Sequence, residues 1–173
     1  MIDEFDRKIL ATLQVDSSLS VQEVADRVGL SSTPCWRRIQ KLESLGYIRG
    51  RVALLNAEML NVGVSVFIAV KTNQHNAEWA DRFRKIVTGF PEVVDFFRLS
   101  GDVDYLIRAV VPDIRAYDEL YQRLIAKIDI YDVSSMFAME QIKSTTELPL
   151  VYASTPGSGR GASQTTRHAS AAH

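Results

Sequence analysis

Apolar positions recur with helical spacing through the first third of the chain. Phe5, Ile9 and Leu13 stand four apart with Leu10 beside them, and charged Asp6, Arg7 and Lys8 fill the gap, which predicts an opening helix. Asp16-Ser17-Ser18 interrupts the pattern. Ser20 followed by Glu23 is a capping box, and Val21, Val24, Ala25 and Val28 form the stripe of a short second helix that Gly29 closes. Ser31-Ser32-Thr33-Pro34 then offers hydroxyl caps and a first-turn proline to a third helix, with Cys35, Ile39, Leu42 and Leu45 inward and Gly46 at its end. A helix, a short turn and a capped helix make a helix-turn-helix. Residues 47–54 read as a short strand or hairpin, the usual wing, and 55–61 as a linker.

The period then changes from helical to alternating. Val62, Val64, Val66, Ile68 and Val70 alternate with Gly63, Ser65, Phe67 and Ala69, a strand with both faces apolar or small. Trp79, Phe83, Ile86 and Val87 mark one side of a helix that Gly89 and Pro91 stop. Residues 93–99 and 104–111 read as the two strands of a hairpin. Pro112-Asp113 opens another helix with Tyr117, Leu120, Tyr121, Leu124, Ile125 and Ile128 inward, and 133–142 reads as a fourth strand. The order β-α-β-β-α-β is that of ferredoxin-like domains. The fold class is therefore α+β: a winged helix-turn-helix over 1–54, a linker over 55–61, a ferredoxin-like βαββαβ domain over 62–150 and a disordered tail over 151–173. The tail is rich in Ser, Thr, Gly and Ala, a composition that cannot offset the entropy of ordering. Two helices packed on one face of such a sheet leave the other bare. Some of Phe67, Phe96 or Phe97, Tyr105 and Phe137 must lie there, which predicts a homodimer through the sheet.

Composition narrows the function. With 46% hydrophobic and 24% charged residues in 173, the chain can bury one core or two small ones, and wholesale disorder is excluded. The longest nearly apolar run, 62–70, falls far short of the ~20 residues of a membrane span, and the acidic start is unlike a secretory leader, so a cytoplasmic protein is expected. One cysteine and three histidines exclude an internal disulfide and a Cys/His zinc framework. The net charge of −1 conceals an asymmetry: residues 33–51 hold Arg37, Arg38, Lys41, Arg49 and Arg51 against Glu43 alone.

Those cations are the first candidate site. On the third helix Arg37, Arg38 and Lys41 lie opposite Ile39 and Leu42, and Ser31, Ser32 and Thr33 add hydroxyls and free backbone N–H groups suited to phosphate. Arg49 and Arg51 suit phosphate or minor-groove contact, and Trp36 is expected to pack beneath the first helix. The turn around Gly101, Asp102, Asp104 and Tyr105 is the second candidate. Asp102 and Asp104 could present paired carboxylates to the ammonium of a small amino acid, although the spacing alone favours an ordinary turn. Catalytic machinery is not evident: Cys35 is predicted buried, His75 lies in a polar loop, and neither a phosphate loop nor a metalloprotease motif occurs. No catalytic residue, cofactor or metal is assigned.

The early Ile9-Leu10 to Leu13 helix, the run L-S-S-T-P-C-W-R-R-I-Q-K-L-E-S-L-G-Y-I over 30–48, G-D-V-D-Y over 101–105 and the ending Leu148-Pro149-Leu150 together resemble the Lrp/AsnC (leucine-responsive/asparagine, feast/famine) transcriptional regulators, over about residues 2 to 152. The resemblance implies a DNA-binding winged helix-turn-helix and a dimerising domain that senses an amino acid or related metabolite, with dimers associating into tetramers or octamers. It also implies effector contacts at Gly101, Asp102, Asp104 and Tyr105, with Thr145 and Thr146 as further candidates. Two rivals belong to other classes. One is an architectural DNA-binding protein without an effector. The other is an enzyme like the sirohaem decarboxylases, disfavoured because the core lacks histidines to hold a tetrapyrrole and the third helix keeps its cations.

Overall fold

The computed structural model describes residues 2–74 and 76–153, so the predicted tail lies, from residue 154 on, outside the described residues. The chain divides into two compact units, Met1–Val52 with Ser144–His173, and Ala53–Lys143.

The first unit holds three helices, α1 (Glu4–Val15), α2 (Val21–Val28) and α3 (Ser32–Ser44). The first two begin where the sequence supplies a cap. Asp3 and Asp6 form a reciprocal capping box at α1, and Ser20 and Glu23 form the predicted one at α2. Helix α3 closes at Gly46, whose φ of +77° lets the Tyr47 N–H turn back to the Leu42 carbonyl at 2.9 Å. Ile2, Ile9, Leu13, Val24, Ala25, Val28, Cys35, Ile39 and Leu42 make one buried cluster. Leu45 does not join them: it lies past the last helical turn and is 56% exposed.

Residues 144–153 also belong to this unit, rather than to the sheet domain where the sequence reading put most of them. The Gln14 side chain accepts from the Leu148 N–H at 3.0 Å and donates to its carbonyl at 3.3 Å. Arg7 donates to the Ala153 carbonyl at 3.0 Å, after a 3-10 turn at Leu150–Tyr152. The predicted wing is a second difference. Residues 47–54 form no paired strand, because a strand exists only where a partner takes its backbone groups, and among the described residues no strand pairs with them.

The second unit is a four-stranded antiparallel sheet of order β2-β3-β1-β4, from β1 (Val64–Lys71), β2 (Val93–Arg98), β3 (Tyr105–Val111) and β4 (Asp132–Phe137). Helices α4 (Ala77–Thr88) and α5 (Ile114–Ile125) complete the β-α-β-β-α-β order. Strand β4 ends at Phe137 rather than 142: Phe137 lies opposite Val66, one more bond joins the Ala138 N–H to the Ser65 carbonyl at 2.9 Å, and β1 itself begins at Val64. Register places Val66, Ile68 and Val70 beside Ala109, Ile107 and Tyr105 on one face, where Trp79, Phe83 and Val87 of α4 and Tyr117, Leu120 and Leu124 of α5 join the core. Phe83 is its centre, 4.9 Å from the Trp79 ring, 5.0 Å from Tyr105 and 5.6 Å from Phe96. Ile125, expected inward, is 38% exposed at the last turn of α5.

Of the aromatics considered for the bare face, Phe96, Tyr105 and Phe137 sit on the core side, Phe137 edge-on to Tyr117 at 5.2 Å. Phe67 and Phe97 point the other way, sharing that face by register with Leu106, Ala69 and Met136. Phe97 is 52% and Met136 50% exposed, and Arg108 pairs with Asp95 at 2.6 Å among them. No described helix is long and apolar enough to cross a membrane.

Candidate functional site

The turn from α2 into α3 is fixed by the Leu30 N–H bonding to the Ala25 carbonyl at 2.9 Å and by the Ser32 hydroxyl bonding to Gln22. Ser31 occupies the N-cap position but its side chain does not cap, contrary to the predicted hydroxyl capping. The first N–H groups of α3 thus remain available to an acceptor from outside. Thr33, Arg37, Gln40, Lys41 and Ser44 are exposed along one stripe, since residues three and four apart share a helix face. Trp36 joins this surface, 51% exposed, instead of packing beneath α1.

Arg38 does not project with its neighbours. Its Nη1 lies 2.6 Å from Asp3 Oδ2 and 2.6 Å from Asp6 Oδ1, and its guanidinium stands over the Phe5 ring at 5.5 Å. Asp6 is 2% exposed, a charge drawn into the core and neutralised there by Arg38. Burial pushes the Asp3 carboxyl up, but the Asp6 backbone N–H and the Arg38 guanidinium outweigh that and hold it below its ordinary value. Hydrogen bonds to both aspartates raise Arg38 in turn. The arginine expected to read DNA therefore clamps α3 to α1.

Arg49 is exposed, while Arg51 pairs with Glu43 at 3.0 Å across a half-exposed surface. Such a pair is worth about 0–1 kcal/mol, so a phosphate can take its place. Cys35 is buried, and burial pushes its thiol up, so it offers no thiolate nucleophile.

In the sheet unit, Gly101 adopts φ +120°, a conformation that glycine tolerates and that breaks strand alternation just before Asp102. The two carboxylates that this spacing could have presented together do not both face the adjoining cavity. Asp102 is exposed and does not line the adjoining cavity, whereas Asp104 does. The Asp104 N–H donates to the Val70 carbonyl at 3.0 Å, and its carboxylate accepts from the Thr72 N–H at 2.8 Å. Tyr105 also lines this cavity of about 230 Å³, together with Thr72, Gln74, Asn76, Ala77, Ala80 and Arg98. Thr145 and Thr146 fall in the other unit. Thr145 accepts from the Glu147 N–H at 3.0 Å in a local turn, and Thr146 borders an apolar groove beside Leu10, Ile48 and Leu148.

With this geometry in view, two domain models match the chain: a winged helix-turn-helix DNA-binding domain over residues 2–49 and the Lrp/AsnC ligand-binding domain over 65–148. The DNA-binding transcriptional activator DecR of Escherichia coli is 48% identical over 151 residues, covering 87% of this chain and 99% of DecR. The chain belongs to the Lrp/AsnC family. Its fold matches the crystal structure of an AsnC family transcriptional regulator from Agrobacterium tumefaciens with a TM-score of 0.86 and 62% identity, over 88% of this chain and 99% of that one. A Neisseria meningitidis transcriptional regulator crystallised with L-methionine matches with a TM-score of 0.83 and 36% identity, over 87% of this chain and 98% of that one. The α+β class and the helix-turn-helix read from the sequence agree with these Lrp/AsnC matches.

Sequence reasoning missed Asp3, Asp6 and Arg38 as a unit, and it missed Arg98. The first was legible in part: Asp6, Ile9 and Leu13 share one helical stripe, as do Cys35, Arg38 and Leu42. Arg98 carried no signal beyond its place near the end of a strand.

Proposed function

We propose that this Lrp/AsnC protein is a sequence-specific DNA-binding transcriptional regulator whose binding or assembly responds to an amino acid or related small metabolite. The observation that carries the DNA half is the exposed Thr33–Arg37–Lys41 stripe on α3, running from a helix N-terminus that no side chain caps. Arg37 and Lys41 reach base edges or phosphates in the major groove, while Ser31, Ser32 and the first α3 N–H groups hold a phosphate. Arg49 and Arg51 track the flanking backbone. Arg38 serves as a positioning residue.

The effector half rests on Asp104 and Tyr105 at the wall of a cavity, with Gly101 shaping the turn beside them. The Neisseria relative that holds L-methionine supports an amino acid as the ligand class. The bare apolar sheet face of Phe67, Phe97, Leu106 and Met136 joins a second copy, and such dimers associate further into tetramers or octamers. A symmetric dimer presents two copies of α3, so its operator is a pseudo-palindrome with half-sites about one helical turn, or a multiple, apart.

Genome-wide footprinting with and without amino acids tests this reading. Protected pseudo-palindromes whose occupancy shifts with one amino acid, and which vanish in Arg37→Ala, are the expected result. Uniform, sequence-independent protection indifferent to every amino acid would instead identify an architectural protein. Dimerisation has its own check. Phe97→Glu should convert the species seen by light scattering to monomer, and an unchanged mass would place the interface elsewhere.

A further inference from the structure

Arg98 and Asp104 both line the cavity at the start of α4, yet among the described residues no ion pair joins them and Arg98 enters no other. The lining of a small chamber thus holds a cation and an anion that are not paired with each other. Asp104 spends part of its acceptor capacity on the Thr72 N–H, and a carboxylate has room for further donors. An α-amino acid carries an ammonium and a carboxylate on one carbon, so a single molecule meets both charges at once.

The volume and lining narrow the ligand further. At about 230 Å³ the chamber lies below the roughly 300 Å³ lower end for drug-sized ligands, so its occupant is small. Beyond the two charges, its walls among the described residues are Thr72, Gln74, Asn76 and Tyr105, with Ala77 and Ala80 as the aliphatic side chains. Polar groups left facing a branched hydrocarbon would lose their hydrogen bonds to water without replacement. From this we infer that the chamber selects a small polar α-amino acid. Arg98 anchors the carboxylate, Asp104 takes the ammonium, and Thr72 and Gln74 face the side chain. This rests on the sensor reading above and goes beyond it by naming the chemical class and the carboxylate anchor.

Thermal shift and calorimetry on the full-length protein test it, with the twenty L-amino acids singly and with ethanolamine and lactate as analogues lacking one charge each. A small polar amino acid should bind at least tenfold more tightly than L-leucine, and neither analogue should bind. Arg98→Met and Asp104→Asn should each weaken binding roughly tenfold to a hundredfold, the loss of one charge-assisted hydrogen bond. Arg98→Lys should restore part of it. Arg98 is exposed and Asp104→Asn keeps an oxygen for the Thr72 N–H, so unliganded melting temperatures should stay near the parent value. Amino-acid binding that is unaltered by Arg98→Met and Asp104→Asn, or that favours L-leucine, overturns this assignment and leaves the sensor reading intact. Absence of binding by all twenty, with DNA affinity indifferent to each, overturns both.

Discussion

The two units use their arginines differently. In the sheet unit most are spent internally: Arg108 pairs with Asp95, Arg84 with Asp81, Arg115 with Glu119 and Arg123 with Glu92. In the helix-turn-helix unit the central arginine of α3 is spent, on Asp3 and Asp6, while Arg37 and Lys41 beside it carry no ion pair among the described residues. Adjacent positions of one helix thus divide into a cation held by ion pairs within the fold and one left exposed. A count of charges along a segment therefore overstates the positive surface offered to DNA. What matters is which cations the fold has already neutralised; among the described residues Arg37 on α3 and Arg98 at the chamber carry no ion pair, and each lies at a candidate site.

Substitutions can break this contrast, and the largest effect lies in the core that both functions presuppose. Phe83→Ala removes the ring around which Trp79, Phe96 and Tyr105 gather, and should cost about 3–5 kcal/mol in denaturant unfolding of the sheet unit. Arg38→Ala should follow at about 3 kcal/mol, because it strands the Asp6 carboxylate in the core of the other unit; a loss below 1 kcal/mol would show that the clamp is not structural. Arg37→Ala is the counterpart. Its stability should stay within about 0.5 kcal/mol of the parent while operator binding weakens by about 1–3 kcal/mol in an anisotropy titration. Equal effects of Arg37→Ala and Arg38→Ala on stability would abolish the distinction between them.

Acid provides the smallest and finest probe. Asp3 is held below its ordinary value of 3.8, so its folded form binds protons less readily than its unfolded form. The stability it contributes is complete above that ordinary value and is lost as pH falls through the lowered one. Melting temperature should therefore decline as pH drops below 3.8, and Asp3→Asn should flatten that decline for the helix-turn-helix unit. Glu92, lowered because the Arg123 side chain outweighs its burial, should add a parallel decline in the sheet unit that Asp3→Asn leaves untouched.

Much of the fold was legible because short-range rules wrote it. Periods of four and of two located the helices and strands, and Ser20 and Asp113 cap helices where the sequence reading opened them. The misjudged ends have one cause: strand residues need a partner and helix-end residues need a neighbour to cover them. Residues 47–54 and 139–142 lack the first, and Leu45 and Ile125 the second.

By itself the sequence determined the order of elements, the family, and the stretch of α3 proposed to meet DNA, all of which follow from residues close together in the chain. Only the tertiary structure decided which charges remain available. Asp3 and Asp6 reach Arg38 across more than thirty positions, and Arg98 shares a cavity with Thr72 and Gln74 only because β1, β2 and β3 lie side by side. Coulomb attraction and desolvation act through space, so the partner of a charge is fixed by packing rather than by its place in the chain.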